Sequence, residues 1–254
     1  MNRRFNTADR SLHGDAGMDD EVAGGVSFPP GVPDSLADAE AIRVNDWRAY
    51  NELVQLEDHW SLKAWVPGYA AYYWYLTFAE EELVALAARC QDRLDTTHLD
   101  LIPPDGLHVT LVKVGAADDI TDPELPQFVT AAEQRLAGLA SFSVEVGPLA
   151  GSRSAIRLSV TPWDRLVDLH ERLRTSVISV RPTPAPKPTS RFRPHLGIAY
   201  NNQRRPAAPV IEMVAALRDI GPVSVSVDRV KLVRLWRTDH QYRWEECAAI
   251  ALGT

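Results

Sequence analysis

Two histidines in matched settings are the residues best placed to do chemistry. They are His108 in Leu107-His108-Val109-Thr110-Leu111-Val112 and His195 in Pro194-His195-Leu196-Gly197-Ile198-Ala199. Read as strands, both stretches alternate, so side chains at i and i+2 share a face. His108 and Thr110 then point one way while Leu107, Val109 and Leu111 face a core. On a second strand, Phe192 to Tyr200, His195 shares its face with position 197, and Leu196 and Ile198 turn inward. One imidazole can accept a proton while the other donates one, and a hydroxyl can hold a non-bridging phosphate oxygen. A lone strand histidine is more often a partly buried polar residue than a catalyst. The argument rests on the pair and its shared frame of apolar residue or Pro, His, apolar, small, apolar.

His108-Val109-Thr110-Leu111 and His195-Leu196-Gly197-Ile198 resemble the paired His-x-Thr/Ser-x motifs of the two-histidine phosphoesterases, the RNA 2′,5′-ligase-like or cyclic phosphodiesterase family. The resemblance extends over about residues 70–252. The first motif matches fully; the second has Gly197 where the family has Thr or Ser. The resemblance implies a metal-independent phosphoesterase acting on 2′,3′-cyclic phosphate or 2′,5′-phosphodiester bonds of RNA or nucleotides. It casts His108 and His195 as general base and general acid, exchanging roles, with Thr110 donating to a phosphoryl oxygen. No cofactor and no metal are expected. Arg193, two residues before His195 and so on its face, is the candidate to replace the hydroxyl missing at Gly197. The alternative is a non-catalytic module that binds a nucleotide or an RNA end. A metallohydrolase finds little support, since there is no close His-x-x-x-His spacing and no accompanying carboxylate cluster. No nucleophile motif points to covalent Ser or Cys catalysis.

The elements that must position these residues follow from periodicity. The aromatic run Tyr72 to Phe78 reads as a first strand, followed by a helix from Glu80 to about Leu94 with Leu83, Leu86, Ala87 and Cys90 on one face. Pro103-Pro104-Asp105-Gly106 is a turn into the first histidine strand. A helix over about 123–139 precedes strands at 142–146 and 156–161, and their loop offers Ser152, Arg153 and Ser154. Pro162 opens a helix through Val177 that carries His170, taken as a surface or packed residue. The segment 181–191, with prolines at 182, 184, 186 and 188, is a stiff loop suited to a lid or rim. A helix from Pro209, strands at 223–227 and 230–236, and a last strand over 242–252 complete the chain. His59 is expected to be structural, His98 and His240 to be solvated, and Tyr200 to be core.

The order of elements in the two halves predicts an α+β fold of two lobes. The family resemblance adds a pseudo-twofold arrangement, two mostly antiparallel sheets facing a central cleft with helices outside. Residues 1–43, rich in Gly, Asp, Ala and Pro, read as a disordered acidic tail. Residues 44–68 read as an N-terminal helix with a connector, the helix docking through Trp47, and residues 69–254 as the two-lobed domain.

Composition sets outer limits. The 254 residues are 45% hydrophobic and 24% charged, the make-up of a soluble globular chain. The net charge of −7 lies wholly in residues 1–60, whereas residues 151–205 hold eleven Arg or Lys against three acids. A basic excess beside a phosphate site suits an anionic substrate, here a nucleotide or RNA-end phosphate. It is too diffuse for extended duplex nucleic acid. Cys90 and Cys247 have no metal or redox spacing. The polar start and the shortness of the apolar run Tyr69 to Ala79 predict no secretory signal and no membrane span, hence a cytoplasmic protein, expected as a monomer.

Overall fold

The computed structural model describes residues 27–62 and 65–253. In chain order the helices and strands are α1 (Ala39–Asn51), β1 (Gln55–Leu56), α2 (His59–Leu62), β2 (Ala70–Thr77), α3 (Glu81–Gln91), β3 (Leu99–Leu101), β4 (His108–Ala116), α4 (Leu125–Leu136), β5 (Phe142–Gly151), β6 (Ala155–Thr161), α5 (Asp164–Val180), β7 (His195–Asn201), β8 (Arg205–Pro206), α6 (Ala208–Ala215), β9 (Val223–Val227), β10 (Arg229–Thr238) and β11 (Gln241–Ala251). A four-stranded sheet has the order β11-β10-β2-β4 and a five-stranded sheet the order β3-β7-β6-β5-β9. Every pairing in both is antiparallel. The α+β architecture of two main antiparallel sheets expected from the sequence is the one observed, with β1 and β8 pairing as a separate two-stranded ribbon.

The two sheets are interleaved along the chain and do not correspond to its two halves. The first sheet takes β2 and β4 from early in the chain and β10 and β11 from its end. Helices α4 and α5 pack on each other, with α5 against β4; α1, α3 and α6 lie against the second sheet. The chain therefore crosses repeatedly between lobes. β4 and β7, the two histidine strands, touch where the sheets meet.

Local sequence accounts for most of these elements. On α3, Leu83, Leu86, Ala87 and Cys90 form the buried stripe, and Glu81 and Glu82 sit at the positive end of the helix dipole. On β9, Val225 and Val227 are buried and the two serines are exposed, the alternation of a sheet with one wet face. In β2, Tyr73, Trp74 and Tyr75 are all fully buried, because this strand is covered on both faces. β6 is buried along its whole length although it contains Arg157, Ser159 and Thr161. Buried polar side chains on a central strand need polar partners, and here Ser159 donates to Asp46 and Arg157 to the Gly151 carbonyl.

Several expectations need correction. The helix expected from Val44 begins at Ala39, where the Asp38 carboxylate caps it by accepting from the backbone N–H groups of Glu40 and Ala41. Its buried face is Ile42, Asn45, Asp46 and Tyr50, and Trp47 is only partly buried. The tail expected through residue 43 is built into the body from Ser27 onward. Phe28 is buried, and the Leu36 carbonyl accepts from the backbone N–H groups of Trp163 and Asp164 at the start of α5. The remaining part of that expectation, residues 1–26, lies outside the described residues. The loop expected at 147–154 is mostly strand, since β5 continues to Gly151. Ser152 and Ser154 are consequently buried. His240 is not simply solvated: it stacks on Trp60 and its Nδ1 lies 2.9 Å from Asp100. His59 bridges Ser154 and Tyr242 and is structural, and Tyr200 is core. No helix among the described residues is long and apolar enough to cross a membrane.

Candidate active site

The first histidine strand enters from the Pro103-Pro104-Asp105-Gly106 turn, which leaves the Gly106 carbonyl facing the ring of His108. His108 Nδ1 lies 2.8 Å from that oxygen. His195 repeats the arrangement, with Nδ1 2.7 Å from the carbonyl of Arg193, again two residues upstream. A carbonyl can only accept, so each Nδ1 carries the proton and each neutral ring presents a lone pair at Nε2. The two imidazoles are thus fixed in the same tautomer by the same local device.

Their surroundings differ. His108 is 7% exposed, stacks on Tyr75 at 4.4 Å and meets the edge of Trp244 at 5.2 Å. Burial pushes its pKa down to about 4, against the opposing pull of the Gly106 carbonyl. It is therefore neutral at pH 7. His195 is partly exposed and lines two adjoining cavities.

The larger of these cavities runs between the sheets and includes Thr110 from β4 together with Arg157, Arg193 and His195 from the second lobe. The smaller includes Asp46, Arg157, Ser159, Arg193 and His195. Of the five expected site residues, Thr110, Arg193 and His195 therefore share one cleft. His108 lies two positions before Thr110 on the same strand, outside the cavity lining. Gly197 lines neither cavity. A Cβ on Gly197 would come within 3.0 Å of Ile102 Cδ1, so a side chain at this position would press on Ile102.

Arg193 is largely committed to backbone. Its Nε donates to Pro29 O at 3.1 Å and its Nη1 to the carbonyls of Ser190 and Phe192 at 2.9 Å each. It braces the loop that carries His195 and ties it to the N-terminal segment. The cation that sequence reasoning missed is Arg157. It is 5% exposed, is the cross-strand partner of Gly197, and lines both cavities. Its guanidinium lies 5.6 Å from the Phe28 ring, and Nη2 donates to Gly151 O at 3.3 Å. An arginine in the middle of an apolar strand was the available signal, because a buried guanidinium needs a polar destination. Ser152, Arg153 and Ser154, offered by the sequence as ligand contacts, line neither cavity.

The N-terminal segment also reaches the site. Ser27 and Phe28 line the larger cavity, and Phe28, Pro29 and Asp46 line the smaller. Asp46 accepts from Ser159 Oγ at 2.7 Å. Burial pushes its carboxyl up to about 6, opposed by the Ser159 bond and the charges of Arg157, Arg218 and Arg193. His170, expected to be a surface or packed residue, is buried, stacked on Phe192 at 4.4 Å, and part of the larger cavity's wall.

The profile of the 2′-5′ RNA ligase superfamily matches residues 77–239, a span that contains both histidine strands. The chain belongs to this superfamily. Solved structures agree on the fold. Escherichia coli LigT complexed with 3′-AMP aligns at 15% identity with a TM-score of 0.56, covering 73% of this chain and 99% of its own. A structure described as a phosphoesterase aligns at 14% and 0.56 with the same coverage. TT0787 of Thermus thermophilus aligns at 16% and 0.54, covering 72% and 97%. No curated protein sequence matches the chain. Superfamily membership places the chain among the two-histidine phosphoesterases. Residues 27–76, which supply Phe28, Pro29 and Asp46 to the cavity walls, lie outside the matched span.

Proposed function

We propose that this two-histidine phosphoesterase hydrolyses 2′,3′-cyclic phosphate or 2′,5′-phosphodiester bonds of a nucleotide or RNA end by metal-independent acid–base catalysis. The observation that carries the reading is the matched pair of Nδ1–carbonyl contacts, which engages Nδ1 of both His108 and His195 and leaves Nε2 of each as the atom for proton transfer. His108, neutral at pH 7, is the general base, and His195 acts as the general acid in its imidazolium form, with a proton on Nε2 as well as on Nδ1, and is left neutral after the step. In this scheme a water oxygen bonds to phosphorus as His108 Nε2 takes its proton. The bond from phosphorus to one ester oxygen breaks, and that oxygen receives the proton from His195 Nε2. Thr110 donates to a non-bridging oxygen, and Arg157, facing the cleft beside Gly197, supplies the charge that a second hydroxyl would otherwise provide. LigT has been solved with 3′-AMP, which supports a nucleotide as the ligand of this cleft.

A second reading has its own observation. Gly197 offers no hydroxyl in the second motif, and a side chain there would press on Ile102, which favours a module that binds a nucleotide phosphate without turning it over. The deciding experiment is an assay of purified protein in EDTA against nucleoside 2′,3′-cyclic phosphates and 2′,5′-linked dinucleotides. Turnover in EDTA supports the enzyme. Nucleotide binding with no turnover of any substrate supports the binding module, and activity that depends on added Zn²⁺ or Mn²⁺ overturns the metal-independent scheme.

A further inference from the structure

His170 is a histidine of the cleft wall that acid–base catalysis by His108 and His195 does not use. It lies on the buried stripe of α5 with Leu166, Leu169, Leu173 and Val177, and is itself 4% exposed. A polar ring in such a stripe calls for a partner at each nitrogen. Nδ1 has one, 2.8 Å away at Thr189 Oγ1. Thr189 gives its own hydroxyl proton to the Glu171 carboxylate, a bond that holds Glu171 below the usual carboxylate range. The Thr189 oxygen is therefore the acceptor, and the Nδ1 proton belongs to His170. Phe192 stacks on the ring at 4.4 Å and fixes its plane.

Nε2 is left with a lone pair. It has no hydrogen-bond partner among the described residues, and it is not one of their polar atoms sealed from solvent without a partner. The ring lines the larger cavity, so the cleft is where this atom is reached. Thr110 and His195 line the same cavity, and α5 packs on β4, the strand of Thr110. Burial pushes the His170 pKa down to about 4, so the ring is neutral at pH 7. A neutral ring protonated at Nδ1 can only accept at Nε2. That lone pair repels phosphate oxygens and draws an O–H or N–H donor. In a nucleotide whose phosphate is held by Thr110 and His195, the nearest donor is the hydroxyl on the adjoining ribose carbon.

We propose that His170 is a substrate-binding residue whose Nε2 accepts a hydrogen bond from the ribose hydroxyl next to the phosphate-bearing carbon. The inference rests on the phosphoesterase reading for the place of the phosphate, but its test is one of binding. Thr189 and Glu171 are positioning residues that hold the tautomer in which Nε2 accepts. A 2′,5′-diester, with its free 3′-hydroxyl, presents the donor before reaction. A 2′,3′-cyclic phosphate presents it only after the ring has opened.

The experiment is titration calorimetry of the full-length protein with adenosine 3′-monophosphate and its 2′-deoxy counterpart. Adenosine 2′-monophosphate and its 3′-deoxy counterpart are run in parallel. In at least one pair the wild type should bind the hydroxyl-bearing nucleotide about threefold to tenfold more tightly, the yield of one neutral hydrogen bond. In His170→Asn the amide can still donate to Thr189 from near the Nδ1 position, but no acceptor remains at the Nε2 position, and the ratio should fall to unity. Thr189→Val keeps the ring and removes the oxygen that fixes its tautomer, and should lower the ratio as well. The ratio compares two ligands on one protein, so a loss of folded protein cancels from it. Ratios near unity in both wild-type pairs, or no binding of any of these nucleotides, overturn the proposal. So does a ratio unchanged in His170→Asn or, should that variant not fold, in Thr189→Val. Hydrolysis of cyclic and 2′,5′-linked substrates is measured separately. Turnover without a hydroxyl preference removes the role of His170 alone, and a preference without turnover removes only the enzymatic reading.

Discussion

Ser159 donates its hydroxyl proton to Asp46 at 2.7 Å, and Ser159 is the cross-strand partner of His195. This bond joins a helix outside the matched superfamily span to the strand beside the second histidine. The second sheet and the N-terminal segment are thereby joined in one packed unit.

His108→Ala and His195→Ala should each lower turnover by ~10²–10⁴-fold, the usual loss on removing a positioned acid or base. Circular dichroism melts check that folding is kept. Residual activity near wild type in either variant would remove that histidine from the mechanism.

The acidic limb of kcat/KM should lie near pH 4, well below the ordinary histidine value. The base must be neutral to accept a proton, and burial holds His108 at about 4. Activity should then persist as pH falls from 7 to 5. A pH profile with its acidic limb between 6 and 7 would assign the base to another group or to a more hydrated His108.

Arg157→Met should be more damaging to turnover than Arg193→Met: both line the two cavities, but Arg193 is held by three backbone carbonyls, whereas Arg157 is the cross-strand partner of Gly197. Arg193→Met should instead lower the melting temperature through loss of the Pro29 and Ser190 contacts. Gly197→Thr should not raise activity, since its Cβ meets Ile102 at 3.0 Å; overpacking of this kind typically costs ~1–3 kcal/mol. Kinetics and melts on the three variants separate these effects. A gain of activity in Gly197→Thr would show that the hydroxyl is simply missing.

Deleting residues 1–37 should reduce both stability and turnover. The deletion removes buried Phe28, its contact with Arg157, the Pro29 carbonyl that holds Arg193 and the Leu36 carbonyl at the start of α5. Burying a side chain the size of Phe contributes ~1.5–3 kcal/mol by itself. An unchanged melting temperature and unchanged kinetics would show that the segment does not pack on the body in solution.

Asp46→Asn should stabilise the protein progressively, relative to wild type, as pH rises from 4 to 7. The folded carboxyl titrates at about 6, above its ordinary value, so the folded state holds the proton more tightly than the unfolded one. The stability this provides is present below pH ~4 and lost as pH rises through about 6, by up to ~3 kcal/mol. Asn keeps a neutral partner for Ser159. Paired thermal melts at pH 4 and pH 7 read the difference, and a gap between variant and wild type that does not change with pH would contradict it.

The sequence by itself determined the two histidine strands, their facing hydroxyl and most helices. Each of these follows from local rules: alternation on β4 and β7, a 3-4 stripe on α3 and α5, and turn chemistry at 103–106. It misplaced α1, whose buried face contains Asn45 and Asp46 and so breaks the apolar periodicity that a local reading depends on. Only the tertiary structure decided which groups surround His195. Arg157 enters because β6 pairs with β7 in a register that sets it against Gly197, and Ile102 crowds position 197 because the chain leaving β3 packs there. Phe28, Pro29 and Asp46 arrive from far away in sequence, through bonds to Arg193 and Ser159 and a cation–π contact to Arg157. Register and long-range packing depend on how the whole chain closes, and short-range periodicity carries no record of that closure.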